Sequence, residues 1–450
     1  GAEGSDNPRR WLLVADAGGH RVRFVTIDKP PCSDGHSCTA DACDSNTGKC
    51  ASEKLADGVS CNEGGSCKAG DCMPGAGWAK AIAAGNDHTC VVRGNGSVAC
   101  WGGNSHNQLG AGTAFNAAIP IAAGGVSGAK RVTAGDGFTC AVDGDGKVKC
   151  WGNNASGQLA NGSQGADVPT PTTVAGLIGV IAINAGRAHV MANFNDPNQV
   201  ACWGSNEDGR CFASAGVVTK PHVFGGYTNV PVAVAGGSHS CLAYNSGTTY
   251  CFGSSLWGQV GAGVSGNSGA QTPKQVLNVS ATGLAAGADH ACALLKAGTV
   301  ACWGRNRYGE LGDGTKGCLD PPNKGGALCD QTLANKPVAV KGLSEVLAIS
   351  AHGGGLSGTG AHTCALLKGG SVWCWGRNHA GQLGDGTEAN SANPVQVLGV
   401  FGATAIAAGG AHSCALIVDG SVQCWGEGTH GQLGSGKFKS SSVPKFVVLD

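Results

Sequence analysis

Cysteine dominates the reactive chemistry of this sequence, and its spacing is regular. Six pairs stand ten residues apart: Cys90/Cys100, Cys140/Cys150, Cys241/Cys251, Cys292/Cys302, Cys364/Cys374 and Cys414/Cys424. Two chemistries use paired cysteines, a disulfide or a zinc site. Paired zinc ligands usually have about two to four residues between them, so the longer spacing fits zinc poorly. Midway between the members of a pair lies a reversal such as Arg93-Gly94-Asn95-Gly96, Asp143-Gly144-Asp145-Gly146, Lys368-Gly369-Gly370 or Asp419-Gly420. These turns need positive φ, which Gly, Asn and Asp tolerate best. Each cysteine pair is therefore expected to face across two antiparallel strands. Facing Cα atoms there lie about 4.5–5.5 Å apart, within disulfide range. A bridge closing so short a loop is expected to contribute somewhat under ~3 kcal/mol.

Histidine recurs too, two residues before the first cysteine: His88, His239, His290, His362 and His412, with His189 at the same place. A ring of imidazoles facing one centre would hold a metal. Phe138 takes the position in one copy, so the favoured reading is structural, each ring bonding within or between repeats. Trp101, Trp151, Trp203, Trp303, Trp375 and Trp425 each follow a cysteine, and a Trp at one repeated position reads as a packing wedge. Asp143 and Asp145 form a turn, since a calcium loop needs further oxygen ligands and a terminal Glu. No Gly-x-Ser-x-Gly elbow and no His-Glu-x-x-His motif occurs. No catalytic set, metal site or cofactor is therefore expected. What differs between copies is more telling. After Cys-Trp-Gly the text diverges into Ser105-His106-Asn107, Leu256-Trp257, Arg305-Asn306-Arg307-Tyr308, Arg377-Asn378-His379 and Thr429-His430. Aromatics and Arg are favoured interface anchors. If these loops share one face, Trp257, Arg305, Arg307, Tyr308, Arg377 and His379 are the expected partner-binding residues.

The elements that must position these residues form a repeat. Residues 287–304 read GADHACALLKAGTVACWG, 409–426 GGAHSCALIVDGSVQCWG and 85–102 GNDHTCVVRGNGSVACWG. Further copies begin at Gly135, Gly186, Gly236 and, behind an insertion, Gly360, which makes seven. A period of about fifty residues signals a propeller, solenoid or array. Between hairpins lie a Pro-Val segment such as Asn393-Pro394-Val395-Gln396-Val397 and a small-residue strand such as Ala405-Ile406-Ala407-Ala408-Gly409. That makes four short strands per repeat.

The run V-A-I-A-A-G-x-x-H-S/T-C-A-L, then D-G-x-V-x-C-W-G, then G-Q-L-G-D-G-T, strongly resembles the regulator of chromosome condensation repeat. Leu383-Gly384-Asp385-Gly386-Thr387 and Leu311-Gly312-Asp313-Gly314-Thr315 carry the last part of it. The resemblance covers about 370 of the 450 residues. It implies an all-β, seven-bladed propeller over residues 77–450, whose ring members close by lending a terminal strand to the other terminus's blade. Residues 443–448 are accordingly expected to complete blade one and remove an open edge. Members of this family include an exchange factor, a photoreceptor and a secreted inhibitor, so the fold alone does not choose a function.

Departures from the pattern are local. Met191 replaces the first cysteine of the third copy, whose hairpin is one residue longer. Cys202 thus loses its usual partner, and Cys211 either pairs with it or stays a buried thiol. The fourth copy reads Cys251-Phe252-Gly253 in place of Cys-Trp-Gly. Residues 316–335 are inserted, with Cys318 and Cys329 expected to bridge, as is the Gly-rich stretch 352–360. Long loops on a rigid scaffold are where binding tends to reside.

Two segments precede the repeats. Trp11–Val25 reads as strand, turn, strand and looks like one NHL repeat, V-A-D-x-G-N-H-R-V, with Gly19 in place of Asn. One hairpin cannot bury its apolar face alone, so residues 1–30 are expected to dock on the body or be donated to another chain. Residues 31–76 hold Cys32, Cys38, Cys43, Cys50, Cys61, Cys67 and Cys72 with little apolar content, so bridges must hold them. Their text resembles the short Cys-rich repeats of secreted myxobacterial and slime-mould proteins.

With 30 basic and 30 acidic residues the formal net charge is zero, which disfavours nucleic acid as a partner. No apolar run is long enough to span a membrane. Gly-Ala-Glu-Gly-Ser-Asp opens the chain without a leader pattern, and 23 cysteines imply an oxidising compartment. Together these suggest a mature, secreted or cell-surface bacterial chain. The expected function is a non-catalytic propeller that recognises a protein or glycan. Alternatives are a self-assembling filament subunit using the N-terminal hairpin, or a secreted enzyme inhibitor.

Overall fold

The structure is a computed structural model. It describes residues 78–449 apart from 197, 215, 225–229, 231, 317–332 and 353–360 and the side chains of 267–271; among residues 1–77 it describes the backbone of seven short strands. The chain forms two compact units, residues 1–75 and 76–450. In the first, Trp11–Ala15 pairs antiparallel with Val22–Thr26. Thr39–Cys43 pairs with Cys50–Lys54, and a three-stranded sheet spans residues 60–73. The Cys318–Cys329 bridge expected from the sequence lies outside the described residues.

The second unit is a seven-bladed propeller of four-stranded antiparallel sheets. Blade one runs Ala79–Ala84, His88–Arg93, Val98–Gly102 and Ala117–Ala122. Blades two to seven begin at Ala129, Val180, Val232, Ala281, Val346 and Ala403. The innermost strand of each is the small-residue segment, because only small side chains fit where seven strands converge. The middle hairpin follows, and the Pro-Val segment forms the outer edge, where Pro is tolerated. At the hairpin turn Gly96 has φ 82°, and a Cβ there would meet the Gly128 backbone at 2.9 Å.

The expected strand exchange does not occur. Ser441–Phe446 pairs with Val422–Gly426 in its own blade seven, and blade one takes its outer strand from Ala117–Ala122. The Pro-containing strand follows each hairpin in its own blade rather than preceding the next, so no blade lacks one. The ring closes with a contact of the kind found at other joints between blades. Gly410 N–H donates to Gly85 C=O at 3.0 Å, as Asn86 N–H does to Gly135 C=O at 3.2 Å. Ala79 N–H also reaches Gly420 C=O at 3.2 Å, and the Trp78 ring packs on Gly420.

Each blade is riveted internally. In six blades the two cysteines of the hairpin sit directly opposite each other in the strand register. All six facing pairs are disulfides: Cys90–Cys100 in blade one, Cys140–Cys150 in blade two, Cys241–Cys251 in blade four, Cys292–Cys302 in blade five, Cys364–Cys374 in blade six and Cys414–Cys424 in blade seven. Their Cα atoms lie 4.0–4.1 Å apart. That is nearer than the expected range, and it marks each as the closer kind of antiparallel pair, which exchanges no backbone hydrogen bonds and sits at about 4.5 Å. In blade three Met191 faces Cys202 instead, and Cys202 bridges to Cys211. The described cysteines of the propeller are all paired.

Between blades the repeated Trp is the wedge. All six are fully buried. Trp101 Nε1–H donates to the carbonyl of Gln432 at 2.9 Å, and Trp151 to that of Gln108 at 2.8 Å. Trp203, Trp303, Trp375 and Trp425 likewise reach residues 158, 259, 310 and 382 of the preceding blade. The second glycine of G-Q-L-G lies against this ring: a Cβ on Gly110 would meet Trp151 Nε1 at 2.6 Å. Where that glycine becomes Phe212, at φ 50°, the wedge of the next blade becomes the smaller Phe252. The two rings meet edge-on at 6.3 Å. The substitution of one repeat thus fits the substitution of its neighbour.

The histidines are structural links in the same joints. His88 Nε2 lies 2.8 Å from Thr139 Oγ1, whose hydroxyl donates to Gln108 C=O at 2.9 Å. That hydroxyl proton is committed, so the imidazole Nε2–H is the donor. His189, His290, His362 and His412 make the same 2.7–2.8 Å bond to Ser or Thr of the next blade. Burial holds His290 at about 4 and His362 and His412 at about 3, with His189 well below its ordinary value. In each of these four rings Nε2 is thus taken up by a hydroxyl of the next blade. His239 is the exception: the next blade offers Ala291, and neither ring nitrogen has a partner.

Candidate partner-binding face

The loop after the third strand has a constant and a variable half. Asn306 Oδ1 accepts Leu311 N–H at 3.2 Å while its Nδ2 donates to Thr315 C=O at 3.1 Å. Asn378 does the same with Leu383 and Thr387 at 2.8 and 3.0 Å, and Asn154 with Leu159 and Ser163 at 3.1 Å each. In blade four Ser255 stands in for Asn and its hydroxyl donates to Val264 C=O. The Gln of G-Q-L-G adds a second pin. Gln259 Oε1 accepts Trp257 N–H at 2.8 Å, and Gln382 Oε1 accepts Ala380 N–H at 3.0 Å. These buried amides fix the loop backbone in successive blades. The positions they leave free to vary are those before, after and two after the Asn.

Those variable positions carry the residues that sequence pattern singled out. In blades four to six they converge. The Arg305 guanidinium lies 4.9 Å from the centre of the Trp257 ring, and its Nη1 is 3.0 Å from Asp289 Oδ2. Arg307 and Arg377 lie over the Tyr308 ring at 5.4 and 5.1 Å. Trp257, Arg305, Arg307, Tyr308 and Arg377 are each half-buried, so stems and rings pack while polar ends reach solvent. His379 is exposed and makes none of these ring contacts. Cation–π stacking holds each guanidinium with little side-chain freedom to lose on binding.

The same loops on blades one to three are differently charged. His106 pairs with Asp167 at 2.9 Å, and Arg210, nearly buried, pairs with Glu207 and Asp208 at 3.3 and 3.7 Å. The face is thus polarised, acidic and ion-paired in one arc, arginine-rich and aromatic in the next. Two site residues escaped sequence reasoning. Asp289 sits in the Gly-x-x-His loop and orients Arg305. Glu310 replaces the pinning Gln, and its Oε2 accepts Tyr308 N–H at 2.6 Å. Its signal was visible as G-E-L-G in the one repeat that also carries Arg305, Arg307 and Tyr308. Among the described residues no group of three or more His, Cys, Asp or Glu is placed to hold a metal ion.

Sequence profiles of the regulator of chromosome condensation (RCC1) repeat match residues 95–142, 145–192, 369–416 and 419–449, and a second profile of that repeat matches 79–108, 129–158, 281–310 and 403–432. The chain belongs to the RCC1 repeat family. Human E3 ubiquitin-protein ligase HERC2 is 28% identical over 336 residues, which is 72% of this chain and 6% of the ligase. The Arabidopsis thaliana ultraviolet-B receptor UVR8 is 27% identical over 328 residues, 70% of this chain and 69% of the receptor. Among solved structures, human WBSCR16 superposes with a TM-score of 0.66 at 21% identity, covering 78% of this chain and 94% of that one. Saccharomyces cerevisiae Prp20p, described by its binding to Gsp1p and histones, gives 0.58 at 20% identity, covering 73% and 80%. These superpositions share the fold with this RCC1-repeat propeller. No helix among its described residues is long and apolar enough to cross a membrane.

Proposed function

We propose that this RCC1-repeat chain is a non-catalytic recognition propeller that engages a protein partner through the loops of blades four to six, in an oxidising compartment outside the cytoplasm. One observation carries the reading. A common set of hydrogen bonds pins the loops, and in three adjacent blades the variable positions bring Trp257, Arg305, Arg307, Tyr308 and Arg377 into stacking contact. Trp, Tyr and Arg are the residue types that dominate binding energy at interfaces, and preorganised ones lose less entropy. The seven described bridges support the compartment, since structural disulfides persist where thiols are oxidised.

Affinity capture with cross-linking on the full chain tests it. A partner recovered with the wild type is expected to be lost with Trp257→Ala or Tyr308→Ala and kept with Lys445→Gln on the outer edge of blade seven. Equal recovery by all the variants would remove this face from consideration.

A further inference from the structure

Two guanidiniums share the Tyr308 ring and a third lies on Trp257, which asks what such an array receives. Arg305 is neutralised in part by Asp289 at 3.0 Å. Among the described residues no carboxylate lies within 4 Å of Arg307. Fixed, planar guanidiniums present parallel N–H donors that match a carboxylate's two oxygens. The rings themselves carry guanidinium groups, so they are poorly placed to stack on the face of a neutral sugar. The row also crosses three blades in sequence, which suits an extended ligand with repeated charges better than a single small anion.

We propose that this row takes the side-chain carboxylates of an acidic polypeptide segment, with Arg307 as the principal contact and Tyr308 holding its guanidinium beside that of Arg377. This rests on the reading that blades four to six form the binding face. Asp289 limits Arg305 to a supporting part, because an incoming carboxylate there must share its donors. The acidic arc of blades one to three, Asp167, Glu207 and Asp208, repels the same ligand and so sets which way it lies across the face. Recognition of this kind is electrostatic in part and is expected to weaken as salt rises.

The test uses the full chain and a fluorescent peptide of alternating Glu and Ser, followed by anisotropy, with a heparin fragment of similar charge as the competing probe. The peptide is expected to bind. Its affinity is expected to fall on going from about 50 to about 500 mM salt, and to fall about tenfold with Arg307→Gln. Arg307→Lys keeps the charge but loses the planar fork and is expected to behave like the Gln variant. Lys445→Gln is expected to bind as the wild type does. Thermal melting of each variant shows that it is folded. No peptide binding at low salt, or binding indifferent to Arg307, overturns the proposal. So does heparin binding that needs Arg307 when the peptide does not bind, because the ligand would then be a sulfated glycan. If capture of a natural partner still depends on Trp257 and Tyr308 while the acidic peptide fails, the face stands and only the partner chemistry falls. If neither depends on the face, both fall.

Discussion

Glu310 is the residue at which a single atom exchange has the most to say. Its side chain is 1% exposed. Its Oε2 accepts the Tyr308 N–H, and its backbone carbonyl accepts the Trp375 indole N–H at 2.8 Å. Gln108, Gln158, Gln259, Gln382 and Gln432 occupy the same place in other blades and accept the corresponding N–H at 2.7–3.0 Å. Burial pushes the Glu310 carboxyl from 4.5 to about 7; the backbone N–H donors and Arg305 pull the other way, and Asp289 adds to the rise. Between those two pH values the folded chain holds a proton that the unfolded chain has released. The contribution of this group to stability is therefore full below pH 4.5 and is lost as pH rises through about 7. At about 1.4 kcal/mol per pH unit, that gap makes the ionised form cost about 3 kcal/mol above pH 7. Glu310→Gln keeps the acceptor for Tyr308 and cannot ionise. The corresponding amide of Gln108 donates from Nε2 to Asp87 Oδ1 at 3.1 Å, and Asp289 stands at the place of Asp87 in blade five. Urea unfolding of wild type and variant, followed from pH 4 to pH 8, should show near-equal stability at the acid end. At pH 8 the variant should be more stable by about 3 kcal/mol. A difference that stays flat across the range, or a variant less stable at pH 8, would refute the reasoning.

Other predictions concern the joints between blades. His239, His290, His362 and His412 are held at about 3 to 4 by burial, with His189 also far below its ordinary value. Their stability contribution is present above about pH 6.5 and is lost as pH falls, because only the unfolded chain takes up the protons. Unfolding near pH 5.5 should bind several protons, read as the slope of stability against pH; a slope below one proton would contradict the neutral buried ring set. His239→Phe imitates Phe138 and removes two unpartnered ring nitrogens, so it should raise stability by about 1 kcal/mol; a lower melting temperature would sink that idea. Phe252→Trp should destabilise by about 1–3 kcal/mol through crowding of Phe212. Phe212→Gly in the same chain should recover most of it, and additive losses in the double variant would mean the two rings are not coupled.

The legible part of this protein was what repeats within a few residues of itself. A cysteine pair around a Gly-rich turn determines its own hairpin and its own bridge, because turn geometry and strand pairing are local. The sevenfold copy number and the buried Trp followed for the same reason: each repeat needs a neighbour to cover its apolar face. The structure alone decided matters that the repeat pattern does not encode. The sequence left Cys202 open between two fates, and packing placed Cys211 beside it. The closing strand was misassigned, since the pattern does not say which end of a repeat is the centre of the wheel. Only the ring showed that Phe212 and Phe252 compensate each other across a joint, that Glu310 lies buried beneath Tyr308, and that two arginines from different blades share one tyrosine. Local periodicity determined the blades. The angle at which each blade meets the next, set by the Trp wedge and its partner glycine, determined which variable side chains touch.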